Sequence, residues 1–229
     1  MFPHRFREEL SRLPLFSPAT SDRISMEHVP AWRSVFTALA LYGHAEGYRL
    51  FSFARFWNQI EKAFNRDAFA RFFVEPKRKE FEERVRVWYE SGMNETYLYS
   101  CLVYALEDKA SCGVVLYDAR ADWKLKADIV AVVNGVPMRI DIFRGSAESR
   151  VLTVERRDAN EREAKANTSE SSHWTNDEMP RWKTLQAIFD PTACRTVNGV
   201  RLFSDVAVNA LLLEIYTHAK VDAAKRAVL

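Results

Sequence analysis

With 229 residues, 48% of them hydrophobic, the chain can bury the core of one large or two small domains, and its six Trp, eight Tyr and fifteen Phe exclude an aromatic-poor disordered chain. Seven Gly and eight Pro exclude a fibrous or low-complexity protein. A formal charge of +2 excludes a generic polyanion binder, so any affinity for nucleic acid has to come from local patches.

Three cysteines, Cys101, Cys112 and Cys194, are odd in number and lack C-x-x-C spacing, which argues against a disulfide framework and fits a reducing cytoplasm. The start, Met1-Phe-Pro-His-Arg-Phe-Arg, lacks the apolar run of a signal peptide. No stretch approaches the ~20 apolar residues of a membrane helix, so the expectation is a cytoplasmic protein without a membrane partner.

In chain order, residues 1–75 read as a helical N-terminal region and 76–229 as an α/β core. Pro30 to Tyr42 opens with proline and returns apolar residues at helical spacing, with Gly43 and Gly47 expected to break it. Phe51 to Phe73 repeats the pattern. There Phe53, Phe56, Trp57, Ile60 and Phe64 form an apolar stripe, which serves either as core or as a partner-binding face. Glu75 to Glu90 follows as a helix with Lys77-Arg78-Lys79 in its first turn, a cluster that is either solvated or set to contact phosphate. Gly92 is expected to end or kink this helix, and Asn94 to cap a second one running through Leu106.

Three strand-like runs come next: Gly113 to Tyr117, Asp128 to Val133, and Met138 to Phe143. The last two are joined by Asn134-Gly135, a pair that tolerates the positive φ of a tight hairpin turn. Beyond them the charged stretch Ala147 to Lys165 reads as an exposed helix. Asn167 to Asn176 reads as a polar loop in which His173-Trp174 could stack on a base. Pro180 to Phe189 looks like a short helix stopped by Asp190-Pro191. A second Asn-Gly turn, Asn198-Gly199, sits between strand residues, and Val206 to Ala219 is helical with an apolar face. The expected fold class is α/β (α+β): a central mixed sheet flanked by helices, behind a helical N-terminal region.

The residues that point to chemistry lie on the second and third strands. Side chains alternate along a strand, so Arg139, Asp141 and Phe143 share one face while Ile140, Ile142 and Arg144 share the other. Asp128 at the start of one strand and Asp141 on the next are two carboxylates close enough in the hairpin to share one hard cation. The plainer reading has Asp128 capping the strand edge and Asp141 pairing with Arg139 or Lys126 as an ordinary salt bridge.

From Phe81 to Arg150 this segment resembles the core of the PD-(D/E)XK, or restriction-endonuclease-like, nuclease superfamily. That family sets an acid at the start of one strand and an acid and a lysine two positions apart on the next, often with a glutamate from a preceding helix. Asp128 and Asp141 match the two strand acids, and Glu95 is the candidate helical glutamate. Phe143 stands where the lysine belongs. The resemblance implies a Mg²⁺ or Mn²⁺ site made by Asp128, Asp141, the carbonyl of Ile142 and Glu95. It also implies action on DNA and a homodimer where both strands are cut. The missing cation would come from Lys126, Arg139, Arg144 or Arg150.

No other constellation competes. The five histidines, His4, His28, His44, His173 and His218, have no zinc-like spacing, and no phosphate loop, G-x-S-x-G elbow or dinucleotide fingerprint occurs. Three readings follow. One is a metal-dependent nuclease with a relocated cation. Another is an inactive nuclease fold that binds DNA or a protein as an inhibitory or accessory factor of a plasmid, phage or defence system. The third is an unrelated α/β core whose aromatic helices mediate a protein interaction.

Overall fold

A computed structural model describes residues 2–20, 32–45, 47, 49–65, 67–117, 127–144 and 182–229. Among these residues the chain is mixed α/β, with five α-helices, a four-stranded mixed sheet and a separate two-stranded hairpin. The helices are α1 (Pro3–Ser11), α2 (Trp32–Ala45), α3 (Phe53–Phe64), α4 (Lys77–Leu102) and α5 (Asp205–His218). The strands are β1 (Gly113–Leu116), β2 (Ile129–Val133), β3 (Val136–Arg144), β4 (Lys183–Phe189), β5 (Arg195–Val197) and β6 (Val200–Leu202). No helix among the described residues is long and apolar enough to cross a membrane. Lys126, Arg150, the expected charged helix and the polar loop with His173 and Trp174 lie outside the described residues.

The sheet runs β1-β2-β3-β4: the first three strands form an antiparallel meander and β4 lies parallel to β3. Both Asn-Gly pairs make the turns expected of them. Asn134 and Gly135 have φ of 48° and 77°, and Asn198 and Gly199 have 48° and 81°, the double left-handed geometry that matches the twist of paired strands. The helix expected at Pro180 to Phe189 is corrected. Its described part is β4, with Leu185, Ala187 and Phe189 buried at every second position while Lys183 and Ile188 are exposed. A seven-residue segment with only four apolar residues fits both a period of 2 and a period of 3.6, and the backbone bonds offered by the edge of β3 decide between them.

Helix α4 is the spine. It runs unbroken through Gly92, where an end or a kink of the helix was expected, and continues into a wider π-helical turn at Val103–Lys109. The reason for glycine is packing. A Cβ at Gly92 would lie 2.6 Å from the ring of Phe36, which is itself buried. Gly92→Ala is therefore expected to destabilise the protein by a net ~1–2 kcal/mol, overpacking exceeding the gain in helix propensity. A thermal melt that shows the variant as stable as the parent would refute this.

Asn94 is likewise mid-helix rather than a cap. Its Oδ1 accepts the amide of Phe203 at 2.8 Å, tying the end of β6 to α4. One turn earlier Glu90 accepts the amide of Arg201 at 3.1 Å and its guanidinium at 2.8 and 2.7 Å.

The aromatic stripe of α3 is core. Phe56, Trp57 and Ile60 are buried, and Phe36, Phe51, Phe56 and Tyr89 interlock edge to face. One continuous apolar cluster extends from Phe6 on α1 through α4 and the inner sheet face to Val221 beyond α5. The helices α1 to α3 thus bury their apolar faces against the same spine that carries the sheet, which is how residues far apart in the chain meet at its edge.

Candidate functional site

Besides Glu90, three carboxylates among the described residues are almost fully buried: Glu95 on α4 at 5% exposure, Asp128 just before β2 at 4%, and Asp141 in the middle of β3 at 5%. Burying such groups costs several kcal/mol each unless charge and hydrogen bonds compensate. Compensation for two of them comes from Arg33, in the first turn of α2. Its Nη2 lies 3.2 Å from Asp128 Oδ1 and 3.3 Å from Glu95 Oε1, so one guanidinium spans a helix acid and a strand acid.

Further bonds orient both acids. The backbone N–H of Ile142 donates to Asp128 Oδ2 at 2.6 Å, which turns Oδ1 toward Arg33. Asp128 Oδ1 is buried and accepts no hydrogen bond; it faces the guanidinium through charge alone. The phenol of Tyr117, just after β1, donates to Glu95 Oε2 at 3.3 Å. Burial, and next the charge of Glu95, push the Tyr117 phenol well above its ordinary range, so it is a neutral donor at any physiological pH.

Asp141 sits differently. Ile140 and Ile142 face the core shared with α4, so the alternation of β3 places Arg139, Asp141 and Phe143 on the opposite face. Continuing the β2–β3 register one step past the Ile129–Ile140 pair sets Asp128 across from Asp141. Phe143, two positions after Asp141, is 7% exposed and apolar. Arg139 is half-buried on the same face as Asp141, and Arg144 ends β3 opposite Phe189.

Comparison with protein-family models, with curated proteins and with solved structures finds no match to this chain. The site has to be read from its own geometry.

Among the described residues no three His, Cys, Asp or Glu side chains are grouped so as to hold a metal ion as they stand. The donor chemistry at Glu95 and Asp128 nevertheless suits a hard divalent cation: two buried carboxylates flank one guanidinium, and among the described residues Asp128 Oδ1 takes no hydrogen bond. Glu95 opens onto a cleft of about 260 Å³ between α2, α4 and the sheet, lined among others by Trp32, Arg33, Arg84, Trp88, Glu90 and Ile142; Asp128 reaches it only through Arg33. Sequence reasoning found Glu95 and Asp128 and missed Arg33. No spacing rule marks it, since Arg33 and Glu95 are 62 residues apart.

Proposed function

We infer that the protein is a divalent-metal-dependent nuclease of PD-(D/E)XK-like architecture in which Arg33 supplies the cation missing at Phe143. The observation that carries this reading is the Arg33 guanidinium held between Glu95 and Asp128. The order of elements supports it: a long helix bearing a glutamate, an antiparallel meander with an acid at the start of its second strand, an acid across from it on the third, and a fourth strand completing a mixed sheet.

Asp128 and Glu95 would hold the ion, with the Ile142 carbonyl joining them as the resemblance implies; Asp141, the further ligand of that resemblance, lies on the face of β3 opposite α4. A bound Mg²⁺ or Mn²⁺ would neutralise phosphate charge and acidify a water. The chain's own part is clearer. Ile142 N–H and Tyr117 O–H fix the two carboxylates so that they do not have to reorganise when a substrate arrives. Arg33 stays charged at any accessible pH and offers a planar fork suited to phosphate oxygens. It therefore stabilises charge on the phosphate and does not carry the proton.

One observation favours a second reading, an inactive nuclease fold that binds DNA or a protein partner: the buried Phe143 removes the usual lysine, and Arg33 already balances part of the acid charge. The two readings part in one assay. Purified protein incubated with supercoiled, linear and single-stranded DNA is expected to cut in Mg²⁺ or Mn²⁺ and not in EDTA. A folded protein that binds DNA yet leaves every form intact would move the conclusion to the second reading.

A further inference from the structure

The cleft that Glu95 and Arg33 line has a chemistry of its own. Trp32 and Trp88 stack with planes 3° apart and centroids at 5.9 Å, and a guanidinium lies on each, Arg33 at 5.5 Å from the Trp32 ring and Arg84 at 5.7 Å from that of Trp88. Trp88 is buried and belongs to the core, whereas Trp32 is half-exposed and forms part of the cleft wall. Glu90 and Glu95 also line the cleft, and beside them the π-surface with two guanidiniums is the combination that single-stranded nucleic acid exploits, base against indole and phosphate against guanidinium.

Size and topology narrow the ligand. At about 260 Å³ the cleft lies just below the roughly 300–1,000 Å³ of ligand sites, so it takes at most one nucleotide unit. In a duplex the faces of each base are covered by its stacked neighbours, so only an unpaired or splayed nucleotide can bring a base against the exposed part of Trp32, whose ring is partly covered by Trp88 and Arg33. Arg33 belongs both to this cleft and to the acid pair, so a strand seated here would bring a phosphate to Asp128 and Glu95.

We propose that the Trp32–Arg84 cleft seats one unpaired nucleotide, and that the protein acts on single-stranded nucleic acid or frayed ends rather than on intact duplex. The assignment of the neighbouring phosphate as the one cut rests on the nuclease reading; the binding itself does not. The test is therefore made without metal. Fluorescence anisotropy of a labelled single-stranded DNA oligonucleotide in EDTA, at two salt concentrations, is compared with that of the same sequence as a blunt duplex.

Tighter binding of the single strand is expected, weakened roughly tenfold or more by Trp32→Ala and largely kept by Trp32→Phe. Arg84→Ala should weaken it and flatten its salt dependence. Far-UV circular dichroism checks that each variant is folded; should Trp32→Ala fail there, Arg84→Ala carries the test. Equal or tighter binding of duplex, unchanged affinity in the folded variants, or a free mononucleotide binding as tightly as the oligonucleotide would overturn the proposal. Cutting of intact duplex in Mg²⁺ alongside any of these results would leave the nuclease reading standing without it.

Discussion

Arg33→Ala is expected to lower metal-dependent DNA cleavage by about 10²–10³-fold, the range seen when one preorganised charge-stabilising group is removed from an active site. Arg33 is the described side chain that places positive charge against both Glu95 and Asp128, and Phe143 contributes none. Arg33→Lys should recover part of the rate, because it returns the charge without the planar fork that grips two oxygens. Asp128→Ala should abolish cutting by removing the acid that Ile142 orients.

A purely structural counter-ion would behave differently. Freed of competition from the guanidinium, Asp128 and Glu95 would then hold a divalent ion more tightly, and the rate at saturating metal would be unchanged. Single-turnover rates over a Mn²⁺ titration separate the two, since the catalytic role lowers the plateau whereas the counter-ion role shifts only the midpoint. An unchanged plateau in Arg33→Ala would end the relocated-cation reading.

Arg201→Ala is expected to destabilise the fold by about 3–5 kcal/mol, the cost of leaving a buried charge without its partner. Glu90 has 3% side-chain exposure and receives three hydrogen bonds from Arg201, one from its amide and two from its guanidinium. The truncation removes the last two and takes the guanidinium charge away from a carboxylate in the core. Replacing both residues, as in Glu90→Leu with Arg201→Leu, should restore most of the loss, because the desolvation cost of the pair disappears with its attraction. Urea denaturation midpoints at constant slope read both effects. A loss under 1 kcal/mol in Arg201→Ala would mean that the hairpin β5–β6 is held to α4 by its apolar contacts and by Asn94 alone.

The strands around Asp128 and Asp141 were legible because β-branched runs and an Asn-Gly turn act over a few residues, and each Asn-Gly pair has to find φ > 0 wherever it lies. Glu95 and Asp128 were legible as candidate acids for a similar reason, since their places on a helix and at a strand start follow from local pattern. Gly92 misled because a helix-breaking residue can also be a contact residue, and the ring of Phe36 that requires it is 56 residues away. Residues 183–189 misled because a short, partly apolar segment carries both periodicities.

By itself, then, the sequence determined the meander, both hairpin turns, the aromatic core of α3 and two of the acids, all of them set by local sterics and by burial of apolar side chains. Only the tertiary structure decided that β4 is a strand, that α4 is a single rod, that Asn94 and Glu90 are tethers, and that Arg33 stands between Glu95 and Asp128. The physical reason is common to all four. Each depends on a partner distant in the chain, a sheet edge, a ring, a hairpin or a carboxylate, and no local propensity records which partner packing will bring.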